Sequence, residues 1–433
     1  MNDTASDKKS LSRLAQIIPI VRALLADPTG NEDMPHKPVI LKSLTSKEAI
    51  DFAGSARDSD AQQVGWGLPH RDIIGGLKRT LQSLPKSQRP PLFLDAININ
   101  AEPENLRKQL SDAISDYSTR HKSKPEVVCL RGLGVLFVDP GPSILDTGKG
   151  EKSSNEHQAT SIKPDLPLRN KIALVTGAAG AIGYGICRGL LEKGCHLVAT
   201  DLPGKKFDDF IADLSQIDSH RVMGVPIDVT DKDSVSRGFE SVVQTWGGVD
   251  IVVVNAGIPL VSYLKDIDLD AFRKLERVNV EGTLLTLAEA ARFFILQGTG
   301  GDIVVVSTKN VPSPGAGFGA YSATKAACHQ LGRIASIELA QYGIRVNMVA
   351  PDGVFFEGKY KSGLWEQIGP DRMRARGLDE KGLQEYYRNR NLLKTRVTGR
   401  HVANAVLFFV TRQTPTTGAT IPVDGGLPDA TPR

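Results

Sequence analysis

The stretch KIALVTGAAGAIGYGICRGLLEKGCHLVATD, residues 171–201, decides the fold of the larger part of the chain. It begins with a short apolar run, continues through a glycine-rich turn, TGAAGAIG, and a helix-like segment, and ends with a second apolar run. This order predicts strand, turn, helix and strand. A glycine turn in that place lets the backbone approach a pyrophosphate, whose charge is bound by exposed N–H groups and the helix dipole.

The apolar runs VMGVPIDVT, VDIVVVNAG, GDIVVVST, IRVNMVAP and TGATIPVDGG follow downstream. Helical stretches separate most of them, and strands that alternate with helices favour a parallel sheet. Runs that are apolar throughout fit strands buried on both faces. The sequence therefore predicts an α/β fold with a doubly wound parallel sheet.

The first part of the chain predicts a separate, smaller α/β domain. LSRLAQIIPIVRALLA suits an amphipathic helix, and short apolar runs with one helical segment follow it. A stretch rich in Gly, Ser, Lys, Pro and Asp then indicates a linker, or alternatively a long surface loop within one domain. The predicted parts are a helical segment (1–34), a small α/β domain (35–140), a linker (141–168) and a nucleotide-binding domain (169–433).

Composition excludes several classes of protein. The 433 residues carry a formal net charge of only +4, which gives no case for nucleic-acid or membrane-surface binding. The four cysteines are widely spread and indicate reduced thiols. No secretory signal and no apolar run of about 20 residues is recognised, so a cytoplasmic protein is expected. His70 stands without partner histidines, and no metal site is predicted.

Acidic residues at two strand ends support a dinucleotide site. Asp201 closes the second strand of the unit, where a carboxylate accepts hydrogen bonds from ribose hydroxyls and repels a 2′-phosphate. This favours NAD, although Lys205 and Lys206 follow closely and keep NADP open. Asp228, expected to end the third strand, suits the adenine edge. The phosphate turn itself contains Gly177, Gly180 and Gly183.

The segment GAYSATKAA, residues 319–327, places Tyr321 and Lys325 four positions apart among good helix formers. Residues at that spacing share a helix face. An ammonium group there favours the phenolate and lowers a tyrosine pKa that starts near roughly 10. The pair is therefore a candidate acid–base unit. This interpretation requires a cofactor site elsewhere in the chain.

These features, in this order, resemble the short-chain dehydrogenase/reductase superfamily over about residues 171–427. The motifs are the glycine turn, Asp228, the NAG triplet at 255–257, Asn279 in RVNVEG, Tyr321 with Lys325, and the terminal VDGG. The resemblance implies a Rossmann-like domain, NAD or NADP as cofactor, a small-molecule substrate, and assembly as a homodimer or homotetramer.

By this resemblance, Tyr321 is the general acid/base, Lys325 lowers its pKa and holds the nicotinamide ribose, and Asn279 positions a proton-relay water. Thr308 stands where the family has a serine, while Ser307 would point elsewhere in an extended segment. Asp352 interrupts the usual Pro-Gly and is expected near the nicotinamide. The implied cofactor-binding residues are Gly177, Gly180, Ile182, Gly183, Asp201, Asp228, Val229, Asn255, Ala256, Gly257, Tyr321, Lys325 and Val354.

The last third is also similar to the dehydrogenase half of bifunctional rhamnulose-1-phosphate aldolase/short-chain dehydrogenases. The segment GLPHRDIIGGLKR through CLRGLGVLFVD is faintly similar to the end of that family's aldolase domain. Nearly all of the aldolase and its histidine cluster are absent. The resemblance therefore implies a truncated aldolase-like remnant, which would serve structure or assembly.

The segment 355–397 lies where the superfamily builds its substrate lid, and it carries many basic residues interleaved with acidic ones. These charges fit either capture of an anionic substrate or a solvated helix. Three functions remain open: a dehydrogenase of a small polyol, aldehyde or sugar derivative with NAD, a 3-oxoacyl thioester reductase with NADP, and a non-catalytic nucleotide-binding protein, which Thr308 keeps open.

Overall fold

The computed structural model describes residues 3–55, 90–95, 97–139 and 166–428. The chain separates into two compact units, with the main boundary between Pro167 and Leu168. Two short segments are exchanged: Thr29–His36 belongs to the second unit and Val243–Gly248 to the first.

The first unit is built on a four-stranded sheet. Its strands lie in the order β3 (Leu41–Leu44), β6 (Gly134–Val138), β5 (Val127–Leu130) and β4 (Leu92–Leu94), and only the β4–β5 pair is parallel. Ala53 of α2 packs on Val127, Cys129 and Val135 of the sheet. The elements up to residue 139 are α1 (Asp3–Leu25), β1 (Asp27–Pro28), β2 (His36–Lys37), β3 (Leu41–Leu44), α2 (Lys47–Ser55), β4 (Leu92–Leu94), α3 (Pro103–His121), β5 (Val127–Leu130) and β6 (Gly134–Val138).

The helix α1 belongs to the same compact unit as this sheet. It spans 23 residues, and its apolar side chains from Leu14 to Leu25 are buried. None of the helices in the described ranges is both long enough and apolar enough to cross a membrane.

The second unit contains a seven-stranded parallel sheet flanked by helices, as the sequence predicts. Its elements are β7 (Ile172–Val175), α4 (Ala181–Glu192), β8 (His196–Ala199), α5 (Lys205–Ile217), β9 (Val222–Gly224), α6 (Lys232–Trp246), β10 (Ile251–Val254), α7 (Leu269–Glu276), a π-helical turn (Arg277–Glu281), α8 (Gly282–Gln297), β11 (Gly301–Val306), α9 (Gly319–Glu338), β12 (Ile344–Pro351), β13 (Phe356–Glu357), β14 (Tyr360–Lys361), α10 (Gly363–Arg376), α11 (Glu380–Arg390), α12 (Gly399–Val410) and β15 (Thr420–Val423).

The strand order of this sheet is β15-β12-β11-β10-β7-β8-β9, with every neighbouring pair parallel. The chain runs outward from β7 to β9, then returns to β10 on the other side of β7. The order therefore reverses between β7 and β10, which is where open α/β sheets bind ligands. This doubly wound order confirms the predicted Rossmann-like fold.

The sheet is buried on both faces, so its strands carry apolar side chains in succession. On one face, α4 and α12 cross with almost no space between their backbones. A Cβ atom built at Gly185 would lie 2.3 Å from the carbonyl carbon of Gly399. Only glycine fits at this crossing, which fixes the position of α4 and of the turn that precedes it.

We expect Gly185→Ala to lower the free energy of unfolding by about 1–3 kcal/mol, because the added methyl group overlaps backbone that must then shift. Chemical unfolding followed by circular dichroism measures the change. Gly363→Ala is the control, since a Cβ there meets no atom within 4 Å. Equal stability of the two variants would contradict the close crossing.

Candidate active site

The carboxyl ends of β7 and β10 are joined by the hydroxyl group of Thr176. Its Oγ1 accepts hydrogen bonds from the backbone N–H groups of Asn255 (3.0 Å) and Ala256 (3.1 Å). The Asn255 side-chain amide donates back to the carbonyls of Thr176 (3.0 Å) and Gly177 (2.7 Å). The glycine turn and the NAG segment are therefore one hydrogen-bonded structure.

The glycine turn leaves the first turn of α4 open to an anion. Gly177 has φ +60°, and a Cβ there would lie 2.6 Å from the Cα of Ala256. Gly180 is the N-cap and provides no side-chain cap, so the N–H groups of 181–183 have no partner among the described residues. Four such donors are normal at a helix start, and their field favours negative charge. The turn thus fits a pyrophosphate.

Asp201 lies directly beyond β8 and contacts this turn. Its Oδ2 accepts a hydrogen bond from the N–H of Ala179 (2.8 Å), and its Oδ1 from the N–H of Leu202 (2.8 Å). Each carboxylate oxygen has a further lone pair. The carboxylate is therefore positioned beside the turn, with capacity left for ribose hydroxyl groups.

Asp228 lies four positions beyond the end of β9 at Gly224, so the sequence placed the strand end too late. Pro226 lacks the N–H that a continuing ladder requires. Asp228 Oδ1 accepts from the N–H (2.9 Å) and the hydroxyl (2.8 Å) of Thr230. Val229, the next residue, is buried.

Asn279 lies in the π-helical turn between α7 and α8, a feature frequent at functional sites. The Asn279 side chain binds both backbone groups of Ile258: the Ile258 N–H donates to Oδ1 (2.9 Å), and Nδ2 donates to the carbonyl (3.1 Å). Nδ2 also donates to the Thr324 hydroxyl (3.1 Å), and the Cys328 thiol donates to the Asn279 carbonyl (3.0 Å). Asn279 thus connects the loop after β10 to the helix that carries Tyr321.

Tyr321 lies in the first turn of α9 and shares a hydrogen bond with the side chain of Thr308. Burial raises the pKa of Tyr321 to about 12, while the Thr308 hydrogen bond acts in the opposite direction. The ring centroid of Phe318 is 6.1 Å from that of Tyr321. Tyr321 is partly exposed by its surface area, and its phenol holds its proton at neutral pH.

Lys325 is buried one turn further along α9, and its Nζ donates to the carbonyl of Val306 (2.9 Å). Burial lowers the pKa of Lys325. A Cβ built at Gly257 would lie 3.3 Å from this Nζ and 3.2 Å from Asn279 Oδ1. The ammonium, the amide and the NAG segment are thus brought together, although burial and Thr308 dominate the Tyr321 pKa.

Ser307 and Thr308 point to different neighbours. The Ser307 hydroxyl is 3.0 Å from His329 Nδ1, whereas the Thr308 hydroxyl accepts from the N–H of Asn310 (3.3 Å) and contacts Tyr321. Of the two adjacent hydroxyl groups, the one beside Tyr321 therefore belongs to Thr308.

The segment 355–397, called the lid below, contains β13, β14, α10 and α11. A pocket under it, called the lid pocket below, is lined by Phe318, Gly353, Val354, Phe355, Trp365, Gly369, Arg372 and Tyr387. Val354 is buried there, and its backbone N–H and carbonyl make no hydrogen bond with any described residue. Asp352 is held in an ion pair by Arg390. The lid pocket therefore adjoins Tyr321 through Phe318.

No cluster of potential metal ligands occurs within the described ranges of the chain. His70, singled out from the sequence, lies outside those ranges.

Comparison with known proteins agrees with this site. Residues 171–362 match the family described as short chain dehydrogenase. Zerumbone synthase of Zingiber zerumbet is 32% identical over 280 residues, which cover 60% of this chain and 96% of that protein. The chain belongs to the short-chain dehydrogenase family. It is accordingly an oxidoreductase that interconverts an alcohol and a carbonyl group.

Two further comparisons define how far the likeness extends. The oxidoreductase YuxG of Bacillus subtilis is 27% identical over 472 residues, which include 97% of this chain. The chain spans 64% of the length of that relative. The structure of sorbitol-6-phosphate 2-dehydrogenase SrlD from Erwinia amylovora superimposes with a TM-score of 0.54 and 26% identity, covering 59% of this chain and 98% of SrlD.

The sequence did not single out several residues that hold this short-chain dehydrogenase site together. Thr176 and Thr324 each accept hydrogen bonds that join two elements, and Cys328 contacts the Asn279 carbonyl. The only available signals were positional: Thr176 precedes the glycine turn, and Cys328 follows Lys325 by three residues on the same helix face. Phe318 carried no signal, and Arg372 was one of many basic residues in the segment 355–397, because the contacts of both depend on how the lid folds.

We expect Thr308→Val to shift the pH profile of alcohol oxidation toward alkaline pH. Valine removes the hydrogen bond that lowers the Tyr321 pKa, so a higher pH is needed to form the phenolate. The loss of kcat/KM should be about 10²-fold, as for loss of a donor to a reacting oxygen. Steady-state kinetics across pH measure both.

Thr308→Ser is the matched control, since it keeps the hydroxyl group and should keep the wild-type profile. An unchanged profile in Thr308→Val would show that Thr308 does not act on Tyr321.

Proposed function

We propose that the protein is an NAD-dependent dehydrogenase that interconverts an alcohol and a carbonyl on a small polyol, aldehyde or sugar derivative. The observation that carries this proposal is the contact between Tyr321 and Thr308. Tyr321 lies beside Phe318, which lines the lid pocket. It also lies on α9, the helix that Asn279 joins to the loop after β10. A phenol able to transfer a proton near an apolar pocket, with a turn that suits an anion in the same unit, is compatible with such a reaction.

In the proposed reaction, the Tyr321 hydroxyl donates its proton to the substrate carbonyl oxygen during reduction and takes it back during oxidation. Thr308 hydrogen-bonds the same oxygen and orients it. Lys325 is held by Val306 within reach of the nicotinamide ribose side of the site. The bound nicotinamide cofactor supplies or accepts the hydride. The lid keeps water from the reacting carbon.

The residues proposed to hold the cofactor fit its chemical parts. The N–H groups of 181–183 and the glycine turn suit the pyrophosphate, and Asp201 suits the adenosine ribose. Asp228 is available through Oδ2 to the adenine edge, and the unbonded backbone of Val354 to the nicotinamide carboxamide. The remaining proposed contacts are Val229, Asn255, Ala256 and Gly257.

The preference for NAD rests on Asp201 and on the ion pairs that two nearby lysines make. Lys205 pairs with Asp209 (3.1 Å), and Lys206 pairs with Glu366 (3.5 Å). Both cations therefore have carboxylate partners, whereas the Asp201 carboxylate faces the turn and would repel a 2′-phosphate. This also disfavours the alternative of a thioester reductase with NADP.

Assembly through the long helices α8 and α9 is proposed as well, as a homodimer or homotetramer. Large apolar side chains on these helices are exposed, among them Leu284, Ile295, Ile334 and Ile337, the last at 74%. Exposed apolar surface of this kind favours contact with another protein surface.

The first unit is proposed to be a remnant related to the aldolase part of the bifunctional enzymes. This proposal rests on the sequence resemblance alone; the YuxG alignment, which extends over 97% of this chain, adds that a longer oxidoreductase shares the region. A cytoplasmic location is proposed from the cysteines, all four of which are buried free thiols.

We expect Tyr321→Phe to reduce turnover by about 10²–10⁴-fold, the usual contribution of a general acid. The binding constant for NADH should stay nearly unchanged, because all the proposed nucleotide contacts except that of Tyr321 lie at other residues and phenylalanine keeps the ring. A cofactor-fluorescence assay against polyols, hydroxy acids, sugar phosphates and oxoacyl thioesters measures turnover, and NADH titration measures binding. Tyr342→Phe, at an exposed position, is the control. Undiminished turnover would remove Tyr321 from this role.

We expect Asp201→Ala to lower the ratio of kcat/KM for NAD over NADP by about tenfold or more, since it removes charge-assisted hydrogen bonds to the ribose. Asp208→Ala removes the same charge from an exposed position on α5 and should leave the ratio unchanged. A wild-type protein that already prefers NADP would refute the proposed cofactor.

A further inference from the structure

The lid pocket contains a cation that differs from the other basic residues of the lid. Four of these have carboxylate partners: Arg388 and Arg396 pair with Glu385, Arg390 with Asp352, and Lys359 with Asp213. These pairs account for much of the charge interleaving seen in the sequence, and they favour the solvated-helix interpretation for those residues.

Arg372 is different. It lines the lid pocket, and its guanidinium makes no hydrogen bond or ion pair with any side chain that the structure describes. Its Nε is buried without a partner. Burying an unpaired charged donor is costly, and such donors are normally matched by an acceptor.

The contacts that Arg372 does make are with aromatic rings. Its guanidinium carbon lies 4.5 Å from the ring centroid of Phe318 and 6.0 Å from that of Tyr387. Cation–π contacts hold the planar group in place but leave its N–H donors free. The guanidinium is therefore oriented and still able to bind an anion.

Two carboxylates next to residues that line the lid pocket have other partners. Asp352 is bound by Arg390, and Glu380 accepts a hydrogen bond from the Trp365 indole N–H (3.4 Å). The lid pocket thus combines an unneutralised cation with apolar walls of Phe318, Phe355 and Trp365. This is the composition of a site for a small molecule with one charged end.

Phe318 connects this cation to the chemistry. Its ring is 4.5 Å from the Arg372 guanidinium carbon and 6.1 Å from the Tyr321 ring. A short substrate bound by Arg372 at one end would present its other end to Tyr321.

We propose that Arg372 binds an oxyanion group, carboxylate or phosphate, of the substrate, and that the enzyme acts on anionic rather than neutral hydroxy compounds. This proposal rests on the proposed function and deepens it by specifying the charge of the substrate. Guanidinium groups bind either oxyanion through paired N–H donors.

Anion binding without turnover tests the proposal. Malonate and inorganic phosphate are titrated calorimetrically into the full chain at constant ionic strength, with saturating NAD to fill the pyrophosphate site. We expect at least one of them to bind. The Arg372→Met variant should bind that anion about tenfold or more weakly than the wild type does. Malonate alone would indicate a carboxylate substrate, and phosphate alone a phosphate ester.

Arg376→Met is the matched control. Arg376 is on the same helix and also stacks on a tyrosine, Tyr386 at 4.5 Å, but it lies outside the lid pocket. This variant should bind the anion like the wild type, and Arg372→Lys should recover part of the affinity because it keeps the charge. Unchanged circular dichroism of Arg372→Met establishes that the variant is folded.

Absence of binding by both anions to the wild type, or equal binding by Arg372→Met, would overturn the proposal. A failure of the proposed function is recognised separately, because the wild type would then show no NAD binding in a titration without anions. A preferred substrate that is neutral, with a KM unaffected by Arg372→Met, would also overturn the role of Arg372.

Discussion

One hydroxyl group joins the carboxyl ends of β7 and β10, the neighbouring strands between which the order of the sheet reverses. Thr176 Oγ1 accepts from two successive N–H groups, those of Asn255 and Ala256, at the ends of adjacent strands. Without that acceptor, two poorly hydrated donors would each cost about 1–3 kcal/mol. Because the two segments are fixed, Gly177 can lie against the Ala256 backbone, and the first turn of α4 is left open to an anion. The position of the proposed cofactor site depends on this contact.

Burial shifts the pKa values of Tyr321 and Lys325 more than their proximity to each other does. It raises the pKa of Tyr321 and lowers that of Lys325, so each residue is pushed toward its uncharged form. A protonated tyrosine suits donation to a carbonyl, whereas oxidation of an alcohol needs the phenolate. The Thr308 hydrogen bond is the influence that opposes burial at Tyr321. The threonine that replaces the family's serine is therefore an electrostatic partner of the tyrosine, besides its proposed contact with substrate.

The sequence was sufficient for the features that local pattern determines. Continuous apolar runs predicted the buried parallel strands, and the spacing of Tyr321 and Lys325 predicted their common helix face. It was insufficient where one element depends on another distant in sequence. The end of β9 was misplaced because Asp228 lies beyond Pro226, outside the regular ladder. The hydrogen bonds of Thr176 and Thr324 link residues 45 to 80 positions apart, and no local pattern encodes them.

In the lid, too, the amino-acid composition does not determine which charged residues pair with one another. Its sequence contains interleaved basic and acidic residues, and that composition fits either anion capture or a solvated helix. Folding sorts the charges, because Asp352 and Asp213 lie outside the lid helices yet neutralise Arg390 and Lys359. Surface pairs of this kind contribute little to stability, generally under about 1 kcal/mol. Their consequence lies instead in which cations can bind an anion, because pairing occupies four of them, whereas Arg372, which stacks on Phe318 in the lid pocket, has no side-chain partner among the described residues for its N–H donors.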